Sequence, residues 1–385
     1  MIIPFSLNKY QLAGAVLGVL VVWSASVAIY RFYFHPLSHV PGPKFAAVTR
    51  LYLFYYNVIK DGLFYLELEG LHKKYGPVVR ISPTEVHLND PDNYDKIYYV
   101  GTKYSKDPVF YKNFGGRDNS WSMASNDIHR RTRSPMEPFF SRRSVLELED
   151  ICQEKAAKIC RIVEDSVSRG KPVDLHAGFR GISVDVITEY AFNDCWDQLD
   201  RPDLGQWFSD MTSAAGPTLF ILQQFPFILN IFLVIPRRLV AYLDDNMESV
   251  WKAMDRTRHI VKGVQAKIAN GEKPKQRTIF HNLLDPELNS GHNALTSEDL
   301  VEEGFAMCAA ASDTTGNAMC VATYHVLNNP AIYKTLSDEL CAAFPDPNTR
   351  LDHAALEKLP YLAAVIKEGQ RSVLSLPFPS FQLIR

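Results

Sequence analysis

Mainly α with a small β-sheet, behind one N-terminal transmembrane helix, is the architecture this sequence predicts. Three observations predict it. Residues 11–30 (QLAGAVLGVLVVWSASVAIY) carry no charge over the length a helix needs to span a bilayer. Apolar residues recur at helical spacing through most of the rest, including 145–168 and 247–270. Alternation is confined to Val78–Ile81 and Glu85–Leu88, which flank Ser82-Pro83-Thr84 and read as a short hairpin after the Lys74-Tyr75-Gly76-Pro77 turn.

Lys9 precedes the apolar run and Arg31 follows it, with Trp23, Tyr30 and Tyr33 suited to the interface. Ser26-Val27-Ala28 resembles a signal-peptidase site, but the run is long for a cleaved signal and its leading segment only weakly basic. An uncleaved anchor is therefore favoured, with residues 1–10 as a short lumenal segment. Residues 31–45 contain Pro36, Pro41 and Pro43 around Gly42 and read as a semi-rigid hinge. The body then runs over 46–371, with 372–385 as a separate tail.

A net charge of −2 and a pI near 6.6 exclude the basic field that nucleic-acid binding requires. The six cysteines, at 152, 160, 195, 308, 320 and 341, form no CxxC and no cluster. They are expected as buried free thiols of a reducing compartment. No Asn-x-Ser/Thr sequon occurs, in keeping with a body that faces the cytosol. The segment 217–236 (PTLFILQQFPFILNIFLVIP) is the most apolar part of the body. Gln223, Gln224, Pro226 and Asn230 break it, so it suits a buried helix pair or an apolar loop dipping into the membrane better than a second span.

Residues 304–326 (GFAMCAAASDTTGNAMCVATYHV) are apolar around most of a helical circumference, the pattern of a buried helix. Thr296-Ser297-Glu298-Asp299 supplies its cap and acidic first turn, and Asn328-Asn329-Pro330 stops it. The helix so bounded is about 30 residues, roughly 45 Å. In its middle Ser312, Asp313, Thr314 and Thr315 place a carboxyl and three hydroxyls at a level expected to be buried. A core built for stability alone avoids that cost, which points to chemistry. Thr314 can bond a ligand or the carbonyl of Ala310. Elsewhere, Glu368 and Arg371 share a helix face at i, i+3, ordinarily a solvated bridge. His129-Arg130-Arg131-Thr132-Arg133 reads as a basic helix face, though three cations in four residues also suit a buried carboxylate pair.

Taken in order, the anchor, HPLSHVPGPK, KYGPVVRISPTEV, HRRTRSPMEPFFS, AASDTTG and KEGQR resemble the membrane-bound fungal members of the cytochrome P-450 family of haem-thiolate monooxygenases. The likeness covers about residues 31–371 and points toward enzymes of secondary metabolism, terpenoid oxygenases such as trichodiene oxygenase among them. It implies a haem (heme) cofactor, an apolar small-molecule substrate, an NADPH-dependent reductase and an endoplasmic reticulum membrane. It implies that Asp313 and Thr314 form the acid–alcohol pair that delivers protons to bound oxygen. Ala310 and Ala311 then line the haem, Ala311 standing where the family usually has Gly. His129 and Arg133 match the aromatic-x-x-x-Arg pair that binds haem propionates, and Glu368 and Arg371 match the structural E-x-x-R. The family pattern continues into a glycine-rich loop whose cysteine ligates iron, and 372–385 (SVLSLPFPSFQLIR) departs from it. None of the six cysteines takes that place. This chain is therefore expected to stop short of the ligand loop, to hold no thiolate-bound haem and to be inactive as it stands. The alternative is a non-catalytic, membrane-anchored remnant or an incomplete gene model.

Overall fold

The computed structural model describes residues 8–111, 119–243, 245–274, 276–288, 295–346, 349–372 and 382–383. Most of the expected lumenal segment 1–10 and of the tail 372–385 lies outside the described residues. The chain divides into two compact units, residues 1–102 with 220–225 and residues 103–219 with 226–385. The architecture is mainly helical with short antiparallel strand pairs, as the sequence predicts.

In the first unit, α1 (Lys9–Ile29) runs on as a π-helical turn, Tyr30–Phe34, so the apolar helix outlasts the expected 11–30 by four residues. It ends where His35 turns extended, since Pro36 disfavours a helical residue before it. The helix is long and apolar enough to cross a membrane, and none of its residues is buried. The proline segment behind it is held by arginines. Arg31 Nη1 donates to the Val48 carbonyl at 2.7 Å, and the buried Arg80 donates through Nη1 to the Arg31 carbonyl at 3.0 Å. The Arg80 amide bonds the Pro41 carbonyl at 2.8 Å. That approach is why position 42 is glycine: a Cβ there would sit 2.3 Å from the Arg80 carbonyl oxygen.

Helix α2 (Phe64–Tyr75) stops at Gly76 (φ +95°) and leads into β1 (Val78–Arg80), which pairs antiparallel with β2 (Val86–Leu88). The expected hairpin is present, each strand one residue shorter at the turn because Ile81 and Ser82 donate across it to the Glu85 carbonyl.

The second unit contains β3 (Ser105–Lys106), α3 (Asn126–Arg133), α4 (Glu149–Ser168), α5 (Leu175–Phe192) and most of α6 (Gln206–Gln224). Then follow α7 (Phe227–Val234), α8 (Asp245–Ala269), α9 (Ile279–Leu283), α10 (Ser297–Asn328), α11 (Pro330–Ala343), α12 (Pro360–Ser372) and β4 (Gln382–Leu383), which pairs with β3. The helix expected over 145–168 starts at Glu149, because a separate short helix, Arg142–Leu146, is capped by the Ser141 side chain. The core joins Val184, Phe192, Phe208, Phe280, Leu300 and Cys308, with Phe192 stacked on Phe280 at 5.1 Å.

Two expectations fail here. Of the two readings of 217–236 the buried helix pair is the one that fails, since Phe227, Ile231 and Val234 are exposed, Val234 at 84%. The cysteines are free but not uniformly buried, since Cys152, Cys160 and Cys341 lie on exposed faces of α4 and α11.

Candidate active site

Helix α10 organises the site. Thr296 Oγ1 accepts from the Asp299 amide at 3.2 Å while Asp299 Oδ2 accepts from the Thr296 amide at 2.8 Å, a reciprocal cap. The helix ends at Asn329, whose side chain caps α11 in turn. Its chief packing partners are α5, α8 and α12.

Around residues 310–316 the helix has two unlike faces. Cys308, Ser312 and Gly316 are buried, whereas Ala310, Thr314 and Thr315 are exposed and Ala311 and Asp313 half-buried. The polar residues were expected at one buried level, and only Ser312 meets that expectation. The reason is geometric: residues four apart share a face, and only the face through 308, 312 and 316 turns inward, where Gly316 meets α5. A Cβ on Gly316 would meet Arg180 Cγ at 2.5 Å and its Cα at 3.0 Å. The AASDTTG glycine is therefore what lets α5 approach.

That approach brings Arg180 to Asp313. Arg180 Nε donates to Asp313 Oδ1 at 2.8 Å, with the arginine side chain 8% exposed and the aspartate 41%. Arg180 also donates from Nη1 to the His176 carbonyl at 3.4 Å. Thr314 Oγ1 donates to the Ala310 carbonyl at 2.9 Å, the back-bond its position allows. Asp313 and Thr314 are adjacent in sequence but point about 100° apart around the helix.

The second group lies on α3 and the strand before it. His129 and Arg133 are four apart and share a face; His129 is half-buried and Arg133 exposed. Burial holds the His129 imidazole below its ordinary pKa, and the Lys106 and Arg133 cations add to this. Burial likewise depresses Lys106, as does Arg133, against the opposing pull of Glu303. Lys106 Nζ donates to the carbonyls of Ser120, at 3.2 Å, and Trp121, at 2.8 Å. Glu303, on α10, is 3% exposed, and burial raises its pKa against two hydrogen bonds from Ser120 and the nearby Arg133 and Lys106. Sequence reasoning missed Arg180, Lys106 and Glu303. Arg180 and Glu303 act through partners 133 and 183 positions away and Lys106 through the backbone of a turn, and none lies in a motif.

Glu368 and Arg371 form the expected pair, with Arg371 Nε donating to Glu368 Oε2 at 2.7 Å and a second contact beside it. Both side chains are largely exposed. Their helix α12 is started by Glu339 of α11, whose carboxylate accepts from the Tyr361 and Leu362 amides at 2.9 and 2.8 Å.

A flat, dicarboxylate macrocycle fits two parts of this arrangement. Lys106 and Arg133 supply cations for its acid groups, with the His129 imidazole as a further donor, and Ala310 with Thr314 offers an open, small-residue stripe for its face. An axial thiolate is a different matter. Cys308 is packed into the core, about 200° around α10 from Ala310. Cys320 Sγ points to the Leu175 carbonyl at 3.8 Å.

Residues 41–379 match the profile of the family described as Cytochrome P450. A cytochrome P450 monooxygenase of Ascocoryne sarcoides, MO6277, is 35% identical over 92% of this chain and 71% of its own length. Conidiogenone synthase PchP450 of Penicillium rubens is 34% identical over 90% and 69%, and tryptophan 6-hydroxylase fscE of Fusarium equiseti 32% identical over 93% and 70%. By the profile match over most of its length and by these fungal relatives, the chain belongs to the cytochrome P450 family.

Proposed function

We propose that this protein acts in haem-dependent mono-oxygenation of an apolar small molecule of fungal secondary metabolism, such as a terpenoid. The observation that carries the reading is the stripe on α10. It presents Ala310 and the Thr314 hydroxyl on an open face, beside a carboxylate, Asp313, that a buried arginine holds. Haem, when bound, supplies dioxygen activation and insertion of one oxygen atom into a C–H bond, with electrons from an NADPH-dependent reductase.

The protein's share is positioning and proton handling. Lys106, His129 and Arg133 hold the carboxylates of the macrocycle. Ala310 and Ala311 keep the helix surface low enough for a flat ring to lie against it. The Thr314 hydroxyl, which donates to its own helix at 2.9 Å, turns outward to donate to a bound ligand. Asp313 passes protons toward it when its bond to Arg180 opens. Glu368 and Arg371 brace the haem-binding side. Helix α1 anchors the chain in the endoplasmic reticulum membrane, with Lys44 onward facing the cytosol.

Haemin titration of the purified chain, read at the Soret band, tests the cofactor half of this reading. Saturable binding that His129→Ala and Arg133→Ala both weaken is expected, and binding indifferent to both changes would sink it. A second reading, ligand binding without turnover, is favoured by one observation: the two cysteines of α10 are engaged elsewhere, Cys308 in the core and Cys320 against the Leu175 carbonyl.

A further inference from the structure

The buried carboxylate of Glu303 is absorbed by nothing described so far, and its surroundings show what it does. Glu303, Met307, Ala310 and Thr314 fall at i, i+4, i+7 and i+11, so they form one stripe along α10. Glu303 lies about 16 Å from Thr314 along the axis. At that end the stripe passes beneath the turn at 119–122. Oε2 of Glu303 accepts from the Ser120 amide at 2.6 Å, and Oε1 accepts from the Ser120 hydroxyl at 2.6 Å. The turn is also braced within itself, since the Asn119 side chain accepts from the Ser122 amide at 2.9 Å. On the other side Lys106 donates to the Ser120 and Trp121 carbonyls, at 3.2 and 2.8 Å. One short turn is thus gripped by a carboxylate through its donors and by an ammonium through its acceptors.

A carboxylate here has the wrong sign to bind an acidic ligand itself. Both of its oxygens are occupied by Ser120, and the cations that face it, Lys106 and Arg133, belong to the cluster around His129. The turn connects these groups. Two of the three Lys106 donors are spent on its carbonyls, so the place of the turn decides where the remaining one points. Five residues beyond Trp121 the chain enters α3, which carries His129 and Arg133.

We propose that Glu303 is a positioning residue: through Ser120 it fixes the 119–122 turn and so aims Lys106, His129 and Arg133 at the carboxylates of a macrocycle lying along the Ala310–Thr314 stripe. The inference rests on the haem reading above and goes beyond it by naming the α10 residue that assembles the acid-binding end.

Iron-free protoporphyrin IX and its dimethyl ester separate acid recognition from iron ligation, and both are followed by fluorescence titration of the full chain in detergent. Wild type is expected to bind the free acid more tightly than the ester. Glu303→Ala should weaken the free acid on the order of tenfold, the usual cost of removing a residue that orients a ligating group, and leave the ester unchanged. Glu303→Gln, which keeps an acceptor for the Ser120 amide and a polar partner for its hydroxyl, should restore most of the affinity. Ser120→Ala should move it in the same direction as Glu303→Ala. Amide exchange over 119–133 should quicken in Glu303→Ala and stay slow in Glu303→Gln. Equal loss of both porphyrins in Glu303→Ala, or loss of neither, overturns the proposal while the haem reading stands. If wild type itself binds acid and ester alike, the cluster does not recognise haem carboxylates, and reading and proposal fall together.

Discussion

Arg180 and Asp313 stand 133 positions apart in sequence, yet Arg180 Nε donates to Asp313 Oδ1 at 2.8 Å. The guanidinium is buried and the carboxylate half-exposed, so the pair is asymmetric. It joins the helix that forms the site, α10, to the helix that supports it, α5. On the proposed reading it also sets the state from which Asp313 moves to handle protons.

The asymmetry predicts unequal single variants. Asp313→Ala leaves the buried guanidinium without its carboxylate and with the long bond to the His176 carbonyl, and should cost about 2 kcal/mol. In a double-mutant cycle with Arg180→Ala the coupling should be about 1 kcal/mol, because solvent reaches Asp313. Denaturant melts of the four proteins measure it, and additive effects would show that the contact contributes nothing.

In a haem-loaded version of the chain joined to the cysteine loop of a P450 relative and turning over, Thr314→Ala should divert reductant from product to hydrogen peroxide, since the hydroxyl on the open stripe is lost. Asp313→Asn should slow turnover on the order of a hundredfold, the scale of a lost proton-transfer group. Coupling and rate equal to wild type in both variants would remove α10 from oxygen activation.

Ser312 Oγ is buried and has no hydrogen-bond partner among the described residues. A desolvated, unpaired hydroxyl costs about 1–3 kcal/mol, so Ser312→Ala should be neutral or stabilise the fold by about 1 kcal/mol. A clear drop in melting temperature would mean that the hydroxyl is satisfied in solution.

What was legible in the sequence was local. The ends of α10 follow from Thr296, Asp299 and Pro330 within a few residues of each boundary, and Glu368–Arg371 from one turn of spacing. The hairpin follows from alternation around Ser82-Pro83. Arg180, Lys106 and Glu303 were not legible, because the Arg180–Asp313 and Glu303–Ser120 bonds join residues 133 and 183 positions apart. Composition likewise could not tell which face of α10 turns inward, since Ala310 and Gly316 are equally small. The apolar α7 read as a candidate core helix because hydropathy reports what a side chain avoids, not what is there to cover it.

In the first unit, His72 Nε2 and His87 Nδ1 are 2.7 Å apart, and His72 Nδ1 lies 2.7 Å from the Gly76 carbonyl oxygen. A carbonyl only accepts, so His72 carries its proton on Nδ1 and Nε2 accepts from His87. Burial, then His72, holds His87 below its ordinary value of 6.5. The unfolded chain therefore binds more protons in the window that opens at 6.5 and runs down through the folded value. Stability should be full above that window and fall as pH drops through it. Melts from pH 8 to 5 should show a steeper acid loss in wild type than in His87→Phe, and parallel curves would refute the linkage.

The cysteines make the final prediction. Iron shows thiolate-type spectra only if a deprotonated sulfur reaches the macrocycle. Cys308 is the nearest in sequence, but it points into the core and burial drives its thiol pKa upward. Cys320 turns toward α5, and burial raises its pKa as well. Burial pushes Cys195 up to about 12, and it sits near the Asp185 carbonyl at 3.9 Å. Cys152, Cys160 and Cys341 are on the outer faces of α4 and α11. No cysteine of this 385-residue chain meets both conditions, position and ionisation. Haem that binds through Lys106, His129 and Arg133 should therefore give, with dithionite and carbon monoxide, a ferrous adduct without the red-shifted thiolate Soret band. Cys308→Ala and Cys320→Ala should leave that spectrum unchanged. A thiolate band in wild type that disappears in either variant would show that α10 repacks on binding haem and brings a core cysteine to the iron.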